Sequence, residues 1–305
     1  MSNLIACAPC CWGVESVDNP YNPSWMDVLS EAKQARFVGT ELGPYGYLPL
    51  EADTLNTALH LKGLEVCAGT IFEPLSDAEK QADILEKTKQ LCTLLQQIGT
   101  ERLVVIDCVN DIRSHYAGIS DESPRLDDAR WTQMMETIRK ISKIAKQHQI
   151  RAVVHPHAGG YIEYQDEIER MLADLSHDEV GLCLDTGHLY YAGMDPATSL
   201  VKYAERLDYV HFKDVDAAKL YQAVEKRVGF WQACADGVMC PLGEGAVNYD
   251  EVSQALQEIG YKGWIAVEQE RDPRQAATTL PDLKKSRKFL VDKGFVASYS
   301  GKYEH

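Results

Sequence analysis

The chain has 305 residues, 45% of them hydrophobic and 25% charged, a globular balance that argues against intrinsic disorder. Its 31 basic and 46 acidic residues leave a net charge of −15, so the average surface repels phosphate backbones and nucleic acid is not an expected partner. No apolar run approaches the ~20 residues of a membrane-spanning helix, and residues 1–11 lack the basic start of a secretion signal. The expectation is a cytoplasmic protein with no membrane contact. Nine cysteines, an odd number, fit a reducing compartment, and the group Cys7, Cys10 and Cys11 reads as packing thiols.

Short β-branched or apolar runs alternate with longer amphipathic segments along the chain. In order, a strand at 4–7 precedes a helix at 25–35, a strand at 37–42 a helix at 53–61, and a strand at 64–70 a helix at 77–98. The strand at 103–108 is followed by a helix at 127–148, that at 152–155 by 165–175, and that at 181–185 by 196–203. The strands at 209–212 and 264–268 lead to helices at 249–259 and 274–293. Ser76, Asp195 and Asn248 stand where N-caps belong, and Gly63, Gly99 and Gly260 where helices end. Eight strand-helix units in sequence predict a single-domain (β/α)8 barrel, a TIM barrel, over residues 1–305. One connection is long. Residues 213–247 hold a helical stretch at 220–234 and a glycine turn at 241–245, and read as a lid or a homo-oligomer contact.

Active sites of such barrels lie at the C-terminal ends of the strands, so the residues ending each strand are the informative ones. The last four strands end in His155-Pro156-His157, Asp185-Thr186-Gly187-His188, His211-Phe212-Lys213 and Glu268-Gln269-Glu270. Four ionisable groups on neighbouring strands are costly unless paired or coordinated. His155, Asp185, His211 and Glu268 therefore predict one divalent metal ion. Their mixed nitrogen and oxygen donors suit Mn²⁺ or Co²⁺ first, with Zn²⁺, Fe²⁺ or Mg²⁺ as further options. Strand alternation gives His157, Lys213 and Glu270 the same parity as these ligands, over a bound substrate. A lone strand-end histidine is more often a hydrogen-bonded structural residue, and Asp185 before Thr-Gly more often a helix cap; four in succession outweigh that reading. His60, His148 and His177 take it. The run Glu163, Asp166, Glu167 and Glu169 reads as a solvated helix N-terminus.

At these residues the sequence resembles the xylose-isomerase-like superfamily of barrels, and within it the inosose dehydratase family. The resemblance is carried by Thr40-Glu41-Leu42-Gly43, by Leu184-Asp185-Thr186-Gly187-His188-Leu189-Tyr190-Tyr191-Ala192-Gly193 with Asp195-Pro196, and by Val210-His211-Phe212-Lys213-Asp214. Gly243-Glu244-Gly245 and Gly263-Trp264 leading into Val267-Glu268 complete it. It implies one Mn or Co ion held at the ends of strands five to eight, which carries over to Asp185, His211 and Glu268. Strand five departs, with His155 where the family has glutamate. The epimerases of this superfamily use the strand-five and strand-eight glutamates as a proton-transfer pair, so the departure counts against simple epimerase chemistry.

The expected reaction is dehydration of a small polyhydroxylated carbonyl compound, a keto-polyol such as an inosose, with a sugar isomerase or epimerase as the runner-up and a non-catalytic metal- or sugar-binding barrel third. Removing a proton α to a ketone requires a stabilised enediolate, and loss of the β-hydroxyl requires an acid. His157 and His188 are assigned to the two proton transfers, and Lys213 and Glu41 to orienting hydroxyls or stabilising the oxyanion.

Overall fold

The computed structural model describes residues 4–296. Eight parallel strands close into a barrel: β1 (Ile5–Cys7), β2 (Gly39–Glu41), β3 (Glu65–Glu73), β4 (Arg102–Asp107), β5 (Arg151–Val154), β6 (Gly181–Asp185), β7 (Leu207–Phe212) and, last in the chain, β10 (Ile265–Val267). Each pairs with its neighbours in sequence, and β1 closes the ring against β10 through Ile5 opposite Ile265 and Cys7 opposite Val267. Between β7 and β10, β8 (Asp214–Val215) and β9 (Met239–Cys240) form a separate antiparallel pair.

Small residues make the closed interior possible. Ala6, Cys67, Ala68, Val104, Val153, Cys183 and Ala266 fill the barrel centre around the buried ring of Tyr209. The bulkier Leu, Ile and Val side chains point outward between strands and helices, as in Leu103, Val105, Leu182, Leu184 and Val210. Helix starts are set by side chains that accept orphan N–H groups: Ser24 from Asp27, Asp127 from Arg130, Asp195 from Thr198 and Asn248 from Glu251. Gly63 ends the helix Ala52–Lys62 in the left-handed region at φ 63.

Four expectations need correction. Ser76 is not a cap, since the helix begins at Gln81 and the Ser76 hydroxyl accepts instead from the Arg130 guanidinium at 3.1 Å. The stretch 220–234 is two helices, Ala217–Glu225 and Phe230–Ala235, broken where Arg227 adopts φ 49. The last helix starts as a 3-10 turn, Pro273–Thr278, and becomes α-helical over Thr279–Asp292, with Pro281 in the first turn where no N–H is needed. The acidic run is only half solvated. Glu163 and Glu167 are buried at 2% and 4% exposure, and Glu167 forms a bidentate pair with fully buried Arg113 at 2.7 and 3.0 Å.

The long connection packs on the chain's own barrel mouth. Phe230, Ala233, Cys234, Val238 and Met239 form an apolar cluster with Ala117, Ala158 and Tyr191 from other strand-end loops. Asp214 anchors its base, accepting N–H groups of Gly243, Gly245 and Val247 at 2.8, 3.1 and 3.1 Å. Gly245 is required there because a Cβ would lie 2.2 Å from the Asp214 carboxylate.

Candidate metal centre

Register brings the strand-end residues together. Asp185, the last residue of β6, lies opposite His211 of β7, and His211 lies opposite Ala266 of β10, two residues before Glu268. His155 follows directly on β5. One ligand atom each from His155, Asp185, His211 and Glu268 lies within 4.8 Å of the others, and all four residues are buried.

The hydrogen bonds leave a gap in the middle of this group. His155 gives its Nδ1–H to the Pro156 carbonyl at 2.7 Å, which leaves Nε2 with a lone pair facing Asp185 Oδ2 at 3.7 Å. Asp185 Oδ1 caps the following helix, accepting from Gly187 N at 2.7 Å and His188 N at 2.9 Å. Asp185 Oδ2 and His211 Nδ1 are buried without a hydrogen bond among the described residues, their nearest charged neighbours being Lys213 Nζ and Glu268 Oε2, each at 3.2 Å. Buried polar atoms without hydrogen bonds are rare, and a divalent cation accepts both lone pairs at once. Behind His211, Nε2 meets Glu41 Oε1 at 2.8 Å, and Tyr209 OH donates to the same oxygen at 2.7 Å. A carboxylate on the far nitrogen fixes the imidazole tautomer and raises its basicity as a ligand. The residues present fit a divalent ion.

Charge in the site is tightly compensated. Lys213, fully buried, directs Nζ to Asp185 Oδ2 at 3.2 Å and Glu268 Oε2 at 3.1 Å, and is also bonded to Glu270. It does not pair with Asp214 or Glu244. Burial would lower the Lys213 pKa, but the charges of Asp185, Glu270 and Glu268 carry it well above the ordinary value. Burial likewise works against ionised Asp185 and Glu268, yet Lys213 with His188 and His155 holds Asp185 well below the usual carboxyl range, and His211 with Lys213 does so for Glu268. For His211, burial is outweighed by Cys183, Glu268 and Glu41, which raise it well above its ordinary value.

A second group stands beside the first. The His157 and His188 rings lie with centroids 3.9 Å apart and tilted by 37°, and His188 Nε2 lies 2.8 Å from Lys213 Nζ and 3.4 Å from Glu270 Oε1. Burial lowers both histidines well below the ordinary value, helped by His188 and His155 on His157 and by Lys213 on His188. The Phe230 ring, 5.2 Å from His157, covers them. A cavity of about 450 Å³ opens onto the site, and Glu41, His157, His211, Glu268 and Glu270 reach its wall.

All nine residues singled out from the sequence, Glu270 included, thus converge on one barrel mouth, although Glu41 is engaged with His211 and Tyr209. Sequence reasoning missed Glu15 and Cys10, which line the cavity from the loop after β1. Cys7 and Cys11 are packed in the core, whereas Cys10 is half-exposed at the cavity wall. Neither position ends a strand, and no spacing pattern marks a loop residue that folds over the mouth.

A closed parallel barrel with a buried His, Asp and Glu cluster at its C-terminal mouth defines the class: a TIM barrel with a candidate divalent-metal site where such barrels build their active sites. The chain belongs to the xylose isomerase-like TIM barrel family, whose model matches residues 29–292. An inosose dehydratase of Halalkalibacterium halodurans is 31% identical over 266 residues, covering 87% of this chain and 86% of that protein. The rhizopine catabolism protein MocC of Rhizobium meliloti is 30% identical over 281 residues, 90% of this chain and 84% of that one. Among solved structures, the IOLI protein with a zinc atom superimposes with a TM-score of 0.73 at 17% identity, over 95% of this chain and 97% of its own. The probable 3-DHS dehydratase AsbF of Bacillus anthracis gives 0.72 at 20%, over 95% and 99%. At such identities these two structures speak for the fold alone.

Proposed function

We propose that the protein is a metal-dependent dehydratase acting on a keto-polyol such as an inosose. The observation that carries this reading is the pairing of two unlike groups at one mouth: a His, Asp, His, Glu ligand set and, against it, the His157, His188 and Lys213 cluster. Strand five ends in His155, so the site lacks the two facing glutamates of an epimerase proton shuttle. Relatives at about 30% identity that carry the name inosose dehydratase support the same reading.

His155, Asp185, His211 and Glu268 would hold the ion. A bound divalent cation supplies stabilisation for negative charge developing on a ketone and its neighbouring hydroxyl as an α proton leaves. His157 gives its Nδ1–H to the Ala158 carbonyl at 2.9 Å, so its neutral ring keeps a lone pair on Nε2. It lines the cavity and takes the proton. His188 accepts the Ala158 N–H on Nδ1 at 3.0 Å, so its neutral ring carries hydrogen on Nε2, which faces Glu270 Oε1 at 3.4 Å. The Lys213 ammonium, held beside His188 by Glu270, then supplies the proton that departs with the β-hydroxyl as water. Phe230, against both imidazoles, keeps bulk water from this exchange.

The test is NMR in D₂O with the Mn²⁺- or Co²⁺-loaded protein and a panel of keto-inositols, ketohexoses and 3-keto-glycosides. Loss of one water from the keto-inositol is the expected result. Deuterium exchange and epimerisation of ketoses, with the keto-inositol untouched, would overturn it in favour of an epimerase.

A further inference from the structure

The cavity wall is acidic well beyond the needs of the ligand set. Glu15, Asp18, Glu41, Glu73, Glu268 and Glu270 all line it, with Lys87 as the basic residue among the described lining and Lys213 bonded to Glu268 and Glu270 from behind. The Lys87 ammonium is bonded to Glu73, and Glu41 is spent on His211 and Tyr209. Two acceptors are left over. Glu270, 4% exposed, has its Oε2 buried without a hydrogen-bond partner among the described residues, and so has Glu15 at Oε1. Burial and the charges of Glu270 and Glu268 push the Glu15 carboxyl well above its ordinary range, against the pull of Lys213. A buried acceptor of this kind costs free energy until a donor meets it, and a positive donor relieves the repulsion as well.

We infer that Glu15, with Glu270 Oε2, forms a donor-recognising subsite that reads the substituent of the polyol: ammonium is preferred to hydroxyl, and carboxylate or phosphate is rejected. This deepens the dehydratase reading and rests on it for the placement of a polyol in the cavity. Glu15 is a specificity residue without a part in the proton transfers. One ammonium-carboxylate contact sheltered from water is worth about a tenfold gain in affinity over the hydroxyl it replaces.

The probes are myo-inositol and an inosamine, the same ring with one hydroxyl replaced by ammonium, bound at equilibrium to the Mn²⁺-loaded protein at pH 7. The inosamine should bind about tenfold more tightly, and the ratio should shrink as salt is raised. In Glu15→Gln the ratio should fall below about twofold with metal content unchanged, while Glu15→Asp should retain part of it. A wild-type ratio near one, or a ratio unaffected by Glu15→Gln, overturns the subsite. Equilibrium binding is read without turnover, so failure of the dehydration assay leaves this outcome separately legible.

Discussion

Asp185→Asn separates the two tasks of one carboxylate. Oδ1 holds the start of the helix Thr186–Tyr191 through the N–H groups of Gly187 and His188, while Oδ2 faces His155, His211 and the Lys213 ammonium without a hydrogen bond. An amide keeps a carbonyl oxygen for the cap and puts an NH₂ group, which has no lone pair to give a cation, in place of Oδ2. The Asn variant should therefore fold and lose stoichiometric metal. Asp185→Ala should lose both functions, with about 1 kcal/mol of additional destabilisation from the missing cap. With free Mn²⁺ at a hundred times its Kd, the wild type gains about 2.7 kcal/mol. That corresponds to roughly 5 °C in melting temperature for a chain of this size. Elemental analysis and melting curves with and without Mn²⁺ read both quantities. One equivalent of metal on the Asn variant, or an undiminished Mn²⁺-induced rise in its melting temperature, would refute the ligand set. His211→Ala and Glu268→Ala should behave as Asp185→Ala does towards metal, and His155→Ala should weaken binding to a smaller degree.

Glu41→Gln should lower metal affinity about 10- to 100-fold, because Glu41 holds the far nitrogen of His211; an unchanged affinity in a metal titration contradicts that role. Gly187→Ala places a Cβ 2.6 Å from Lys213 Cγ, so it should displace the lysine and depress kcat while leaving one equivalent of metal bound. Equal kcat in this variant would remove Lys213 from the reaction. Burial pushes Glu163 up to about 7 against the pull of Arg113 and the Gly118 and Gly159 N–H groups. The folded protein thus holds this proton more tightly than the unfolded chain, whose value is near 4.5. Its contribution to stability is full below that value and is lost as pH rises through about 7, a change of about 3 kcal/mol. Urea unfolding from pH 5 to 8 should show a steeper decline for the wild type than for Glu163→Gln, and parallel pH dependences would refute the assignment.

The barrel and the cluster of candidate metal ligands at its mouth were legible in the sequence because both rest on local regularities. Apolar runs of strand length recur at the spacing of β/α units, and barrel geometry sends every strand end to one mouth, so His155, Asp185, His211 and Glu268 could be grouped without contacts. The period of two along a strand then brought in His157, Lys213 and Glu270. Tertiary structure alone decided the rest, since it depends on pairs distant in the chain. Arg113 and Glu167 are 54 residues apart, and only their shared burial turns a run that reads as solvated helix into an ion pair holding the loop after His157. Glu41 and His211 are separated by 170 residues, and their hydrogen bond ties Glu41 to the back of the candidate ligand cluster. Cys10 and Glu15 reach the cavity because a 3-10 turn, Pro9–Trp12, folds the chain back over the end of β1, a path set by packing and by no periodic pattern. Periodicity reports which face a residue occupies, whereas charge pairing and loop placement depend on what that face meets.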